Sequence, residues 1–132
     1  MSYDLVTVTV PASAGHLAVL RTTVGGFAAR DSFTLDQVDD LRMAVEEAAV
    51  QLLRHMRGDR VGMELETTGS GVEVRLSGEV APGDPVIDEA SFSWTILRAL
   101  ADELRVDTDG SHATIVMCKT RIVVGDSGGD VA

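Results

Sequence analysis

Residues 34–56 read TLDQVDDLRMAVEEAAVQLLRHM. Val38, Leu41, Val45, Ala48, Leu52 and Met56 recur at the 3.6-residue spacing of a helix with one buried face. Thr34 with Gln37 three residues later is the capping-box pattern that opens such a helix, and Gly58 is placed to close it. The spacing predicts a helix over 36–57. Glu47 and Gln51 stand one turn apart on the side away from the apolar stripe. A carboxylate and a carboxamide so placed suit two roles. They can orient a water or hold a magnesium ion beside a phosphate, or they can be two solvated surface residues. That choice separates an enzyme from a protein without chemistry of its own.

Upstream, residues 5–10 alternate, with Val6, Val8 and Val10 on one side and Thr7 and Thr9 on the other. This is a half-buried strand, and Pro11 ends it. A helix over 13–29 follows, with Leu17, Leu20, Val24 and Phe27 as its stripe. Gly25 and Gly26 weaken it by about 1 kcal/mol each relative to alanine. Such a pair marks either a close packing contact or an early helix end.

Downstream, Val61, Met63 and Leu65, then Val72, Val74 and Leu76, alternate with polar residues, and TGSG at 68–71 joins the two strands as a hairpin. The stretch 78–89 has two prolines, two glycines and four acids without a period, and reads as a long loop. Ser91 caps a third helix to residue 104, with Phe92, Ile96, Leu97 and Leu100 as buried groups. A short strand at 105–107, a turn at Asp109 and Gly110, and a final strand over 113–124 complete the domain. Residues 1–124 form one unit; the small polar tail at 125–132 is expected to be disordered. This order predicts an α/β two-layer sandwich, a mixed and mainly antiparallel sheet covered on one face by three helices.

The 132 residues suit one core, and with 4% aromatics that core must be aliphatic. A net charge of −10 argues against direct nucleic-acid binding, which needs a basic footprint. The same charge suits a basic protein partner, or serves only solubility. Cys118 is the sole cysteine, so neither an internal disulfide nor a zinc cluster is available. It follows IVM in a strand and reads as a small buried side chain rather than a nucleophile. His16, His55 and His112 are scattered without metal-ligand spacing. The chain opens on no basic-then-apolar segment, and no run approaches the roughly 18 apolar residues of a membrane span. A soluble cytoplasmic protein is expected.

Three stretches carry a family resemblance: AVLR at 18–21, DLRMAVEEAAVQLLRH at 40–55, and SFSWTILRALADEL at 91–104. Together with the element order, they make the chain resemble the GHKL (Bergerat) ATP-binding fold. More closely it is similar to the anti-sigma-factor serine kinases of bacterial stress and sporulation control, particularly their actinobacterial branch. The SFSW opening at 91–94 is similar to a mycobacterial-type (sigma-F) stress subgroup.

The resemblance implies roles for particular residues. The family's second-helix glutamate, which activates the attacking hydroxyl or water, corresponds to Glu47. The magnesium-ligating asparagine four residues on is replaced by Gln51, which keeps the oxygen but adds a methylene. Magnesium demands near-ideal octahedral geometry, so that length matters. The adenine-reading Asp-x-Gly-x-Gly is replaced by SGEVAPG at 77–83, leaving Ser77 and Gly78 as candidate cofactor-binding residues without the anionic acceptor. Where small residues would let backbone amides cradle phosphates, the chain has Phe92 and Trp94, bulky groups better suited to filling space. Arg21 matches a first-helix arginine on the surface shared by sigma factor and antagonist; read alone, it is equally an ordinary surface arginine. The run 79–89 reads alone as a solvated loop, and by resemblance as a lid that orders with a partner.

Two functions follow as expectations. The first is an anti-sigma factor that sequesters an alternative (stress or sporulation) sigma factor and is relieved by an anti-anti-sigma protein, with ATP and magnesium implied by resemblance and kinase activity weak or lost. The second is an active ATP-dependent serine kinase that phosphorylates its anti-anti-sigma antagonist, with Glu47 as base and Gln51 as metal ligand. A nucleotide-free regulatory domain with an unrelated partner is a third reading. The resemblance also admits a homodimer paired through a sheet edge or the first-helix region.

Overall fold

The computed structural model describes residues 4–122. The tail expected at 125–132, and residues 123–124 of the expected last strand, lie outside them. The described elements are β1 (Val6–Pro11), one 3-10 turn (Ala14–His16), α1 (Leu17–Ala29), α2 (Leu35–His55), β2 (Arg60–Thr67), β3 (Gly71–Glu79), α3 (Phe92–Leu100), β4 (Glu103–Asp109) and β5 (His112–Thr120).

The strands lie in the order β1-β2-β3-β5-β4. Every neighbouring pair is antiparallel, so the expected mixed sheet is corrected to an antiparallel one among the described residues. Two connections explain this. Two successive helices separate β1 from β2, so the chain reverses three times and returns antiparallel. The β3-α3-β4 crossover does run parallel, but β5 folds back from β4 and inserts between them, so the parallel strands never touch.

One sheet face carries the core. Val61, Met63, Leu65, Val74, Leu76, Ile115 and Met117 point at the helices and are buried. The central helix α2 meets them with Leu41, Ala44, Val45, Ala48, Ala49 and Leu52, all fully buried, and it touches α1, α3, β3 and β5. The other sheet face is polar, as expected of an antiparallel sheet covered on one side. There Arg75 of β3 bonds Glu64 at 3.0 Å, Glu66 at 3.1 Å and also Glu73.

The helix boundaries follow from local chemistry. Thr34 caps α2: its hydroxyl accepts from the Gln37 N–H, and the Gln37 side chain accepts from the Thr34 N–H, each at 3.1 Å. Of the glycine pair Gly25 alone marks a packing contact, since α1 runs on to Ala29, a Cβ at Gly25 would lie 3.0 Å from Cδ of Arg42, and a Cβ at Gly26 would meet nothing within 4 Å. Two expectations are corrected. Gly58 does not close α2; the helix stops at His55 because Met56 is extended and bridges Val80. The third helix ends at Leu100 rather than 104, because the Asp102 N–H donates to the Cys118 carbonyl and Glu103 begins an edge strand on β5.

The loop expected over 78–89 begins later, at 81, because β3 runs through Glu79. It is not simply solvated: Val86 and Ile87 are 2% and 4% exposed. No helix among the described residues is long and apolar enough to cross a membrane.

Candidate functional site

Helix α2 presents Glu47, Gln51 and His55 at successive turns, a single polar stripe beside its apolar one. The stripe faces α3 and the loop before it. Ser91 caps α3 by accepting from the Trp94 N–H at 3.2 Å, which sets the phase of the helix. In that phase Ser93 and Leu97 share the side turned to α2, and Leu97 is fully buried. Phe92 points the other way. It is 78% exposed, against its expected burial, because the first helical residue lies outside the α2-facing arc.

Ser93 meets the stripe directly. Its hydroxyl donates to Glu47 Oε2 at 2.7 Å. Gln51 Nε2 donates to Ser93 Oγ at 2.8 Å and to the same Glu47 oxygen at 3.2 Å. The three side chains close a triangle, with Glu47 and Gln51 both partly buried. One turn on, His55 Nδ1 bonds Asp84 Oδ2 at 2.9 Å, tying the 81–91 loop to the end of α2. The other Asp84 oxygen accepts from the Val86 N–H at 2.8 Å. That backbone bond, with His55 beside it, holds the Asp84 carboxyl below the usual range.

The remaining sequence candidates lie elsewhere. Ser77 sits on the open sheet face, opposite Gly62 and Thr114. Gly78 sits on the helix face beneath Met56, and a Cβ there would fall 2.1 Å from Met56 Sδ. Trp94 lines a hollow of about 460 Å³ between α3, the loop and β4, with Pro85, Ile87, Arg98, Leu104 and Val106. Arg21 of α1 reaches across to Glu46 of α2 at 2.5 Å, both side chains partly exposed. The structure therefore brings Glu47 and Gln51 together, sets Trp94, the sequence neighbour of Ser93, into a separate hollow, and leaves Ser77, Gly78, Phe92 and Arg21 apart.

Sequence reasoning missed two members of this cluster, Ser93 and the His55–Asp84 pair. The signal for His55 was legible, since it continues the four-residue spacing of Glu47 and Gln51. Ser93 was hidden because a serine two residues after a helix cap is unremarkable until the phase of that helix is known.

A model of the histidine kinase-like ATPase domain matches residues 10–119. The chain belongs to the histidine kinase-like ATPase family. It is similar to the anti-sigma-F factor RsbW of Mycobacterium tuberculosis (strain CDC 1551 / Oshkosh), with 35% identity over 107 residues covering 80% of this chain and 63% of that protein. The chain thus spans less than two thirds of that relative's length. It is also similar to the serine-protein kinase RsbW of Bacillus cereus (strain AH187), with 25% identity over 89% of this chain and 85% of that one. Among solved structures, the RsbU and RsbW domains of a Mycobacterium tuberculosis protein superpose with a TM-score of 0.68 at 15% identity. That match covers 91% of this chain and 34% of that one, and it shows the shared fold.

Such a family implies an adenine nucleotide, usually with magnesium. The residues of this family member do not fit that group as they stand. One oxygen of the Glu47 carboxylate and the nitrogen of the Gln51 carboxamide are held by Ser93. The helix-facing position at the end of β3 is a glycine covered by Met56. No cluster of three or more His, Cys, Asp or Glu side chains suited to a metal ion occurs among the described residues.

Proposed function

We propose that this protein is an anti-sigma factor acting in the cytoplasm: it sequesters an alternative sigma factor and is displaced from it by an anti-anti-sigma protein. The observation that carries the reading is the closure of the α2–α3 seam in a chain whose relatives include an anti-sigma-F factor. Helices α1 and α2 are joined on their outer side by the Arg21–Glu46 pair, and the same two helices expose Val19 and Met43 to 45% and 53%. An exposed ion pair of this kind contributes little to stability, on the order of 0–1 kcal/mol, so either member is free to exchange its partner for one on another protein. Arg21 is the candidate contact, because a guanidinium offers a planar fork to a carboxylate. A net charge of −10 favours encounter with a basic surface. Release by a competitor then needs only a few kcal/mol of differential affinity between mutually exclusive complexes.

Calorimetry with the alternative sigma factors of the same cell tests the reading. At low salt and micromolar protein, one of them is expected to bind, and Arg21→Ala is expected to weaken it by roughly tenfold, the size of a lost interface contact. Absence of binding to every one of them ends the proposal.

A further inference from the structure

The polar stripe of α2 bonds one stretch of the same chain. Glu47, Gln51 and His55 stand at successive turns, and each bonds a residue of the segment 84–93. Ser93 is the hub. A hydroxyl has a single proton to give, and Ser93 gives it to Glu47 while its oxygen accepts from Gln51. One internal hydroxyl therefore bridges an oxygen of Glu47 and the amide nitrogen of Gln51, standing in the seam between α2 and α3.

A second feature points the same way. Val86 has φ +64°, a left-handed backbone that a β-branched side chain rarely adopts. It is held there by burial to 2% exposure and by its N–H donating to Asp84, itself tied to His55. The loop is held onto α2 at an unfavourable backbone angle.

We propose that Ser93 is an internal stopper of the α2–α3 cleft, its hydroxyl taking the place that a ligand oxygen would hold between Glu47 Oε2 and Gln51 Nε2, so that the cleft is shut to magnesium–polyphosphate ligands. The proposal rests on family membership, which makes this seam the nucleotide-facing side, and not on which protein the chain binds. In this scheme the wild-type chain populates the open cleft only rarely. The apparent affinity for such a ligand is reduced by the open fraction. Removing the hydroxyl raises that fraction, while keeping a hydroxyl at 93 preserves the closure.

The experiment compares the wild type with Ser93→Ala and Ser93→Thr. Far-ultraviolet circular dichroism first checks that each is folded. Trp94 is the only tryptophan and adjoins Ser93, so its fluorescence reports movement of the α3 start. Each protein is titrated with magnesium–ATP and with magnesium tripolyphosphate, and binding is confirmed by calorimetry. The expected result is a gain of at least about tenfold in apparent affinity for one or both probes in Ser93→Ala, with Ser93→Thr matching the wild type. Three results overturn the proposal: tight binding by the wild type, no gain in Ser93→Ala, or an equal gain in Ser93→Thr. None of these readings involves a sigma factor, so failure here is separate from failure of the proposed function.

Discussion

Gly71 and Gly26 show how differently two glycines of one chain are used. A Cβ on Gly71 would lie 1.8 Å from the Lys119 carbonyl oxygen and 3.0 Å from Thr120 Cα. The backbone of β5 fills the space and cannot rotate away as a side chain does. Gly71→Ala is expected to cost about 1–3 kcal/mol by forcing the β3–β5 ladder apart. Gly26 lies within α1 with nothing within 4 Å of its would-be Cβ. Gly26→Ala is expected to stabilise by about 0.5–1 kcal/mol, since alanine loses less backbone freedom and favours the helix. Urea unfolding of the two variants checks both signs, and equal effects would remove the packing argument. Cys118 gives a residue-scale prediction about pH. Burial, then the nearby Glu73 charge, pushes its thiol from 9.0 up to about 11. Between those values the folded chain keeps a proton that the unfolded chain has lost. Stability from this group is therefore complete below pH 9 and declines as pH rises through the window. Cys118→Val is expected to flatten that decline in alkaline denaturation curves.

At the scale of elements, α2 organises the molecule, and its start is chemically defined. The reciprocal bonds of Thr34 and Gln37 satisfy two of the backbone donors that a helix leaves open. Gln37 also donates through its side chain to the Thr120 carbonyl at 2.7 Å, so the cap fastens α2 to the end of β5. Thr34→Ala is expected to destabilise by about 1 kcal/mol, read as a lowered urea midpoint without a change in slope. A cost near zero would mean that solvent substitutes for the cap. Lys119 fastens the same region from inside. It is the only lysine in the chain, and it is 8% exposed. Its ammonium meets Asp40 of α2 at 3.2 Å and the Leu100 carbonyl at the end of α3 at 2.9 Å. A cation at a helix C-terminus satisfies an orphan carbonyl and complements the helix dipole, which helps stop α3 where it stops.

At the scale of the whole molecule, charge governs association. The net charge of −10 is spread over a small domain, and its polar sheet face engages Arg75 with three glutamates. Binding to a basic partner is expected to lose association rate as salt rises, because screening shortens the reach of the field to about 8 Å at physiological ionic strength. Stopped-flow association at about 50 and about 300 mM salt, between which the Debye length shortens roughly 2.4-fold, is expected to differ several-fold in on-rate and little in off-rate. A salt-independent on-rate would remove electrostatic steering from the account.

What the residues determined by themselves was periodicity and capping. The apolar stripe of α2, the alternating strands and the Thr34–Gln37 box are local patterns, and each is set by the geometry of a few neighbouring residues. Glu47 and Gln51 were legible as a pair for the same reason, being one turn apart. Tertiary structure alone decided the rest. Whether the pair was solvated, ligating or self-satisfied depended on Ser93, 42 residues from Gln51 in sequence and 2.8 Å away in space. The insertion of β5 between β3 and β4, the exposure of Phe92 and the burial of Val86 on strained backbone are likewise outcomes of packing. The physical reason is that local patterns fix which face of an element is apolar, whereas the partner of a polar group is set by how whole elements are stacked, and a single sequence carries no local mark of that choice.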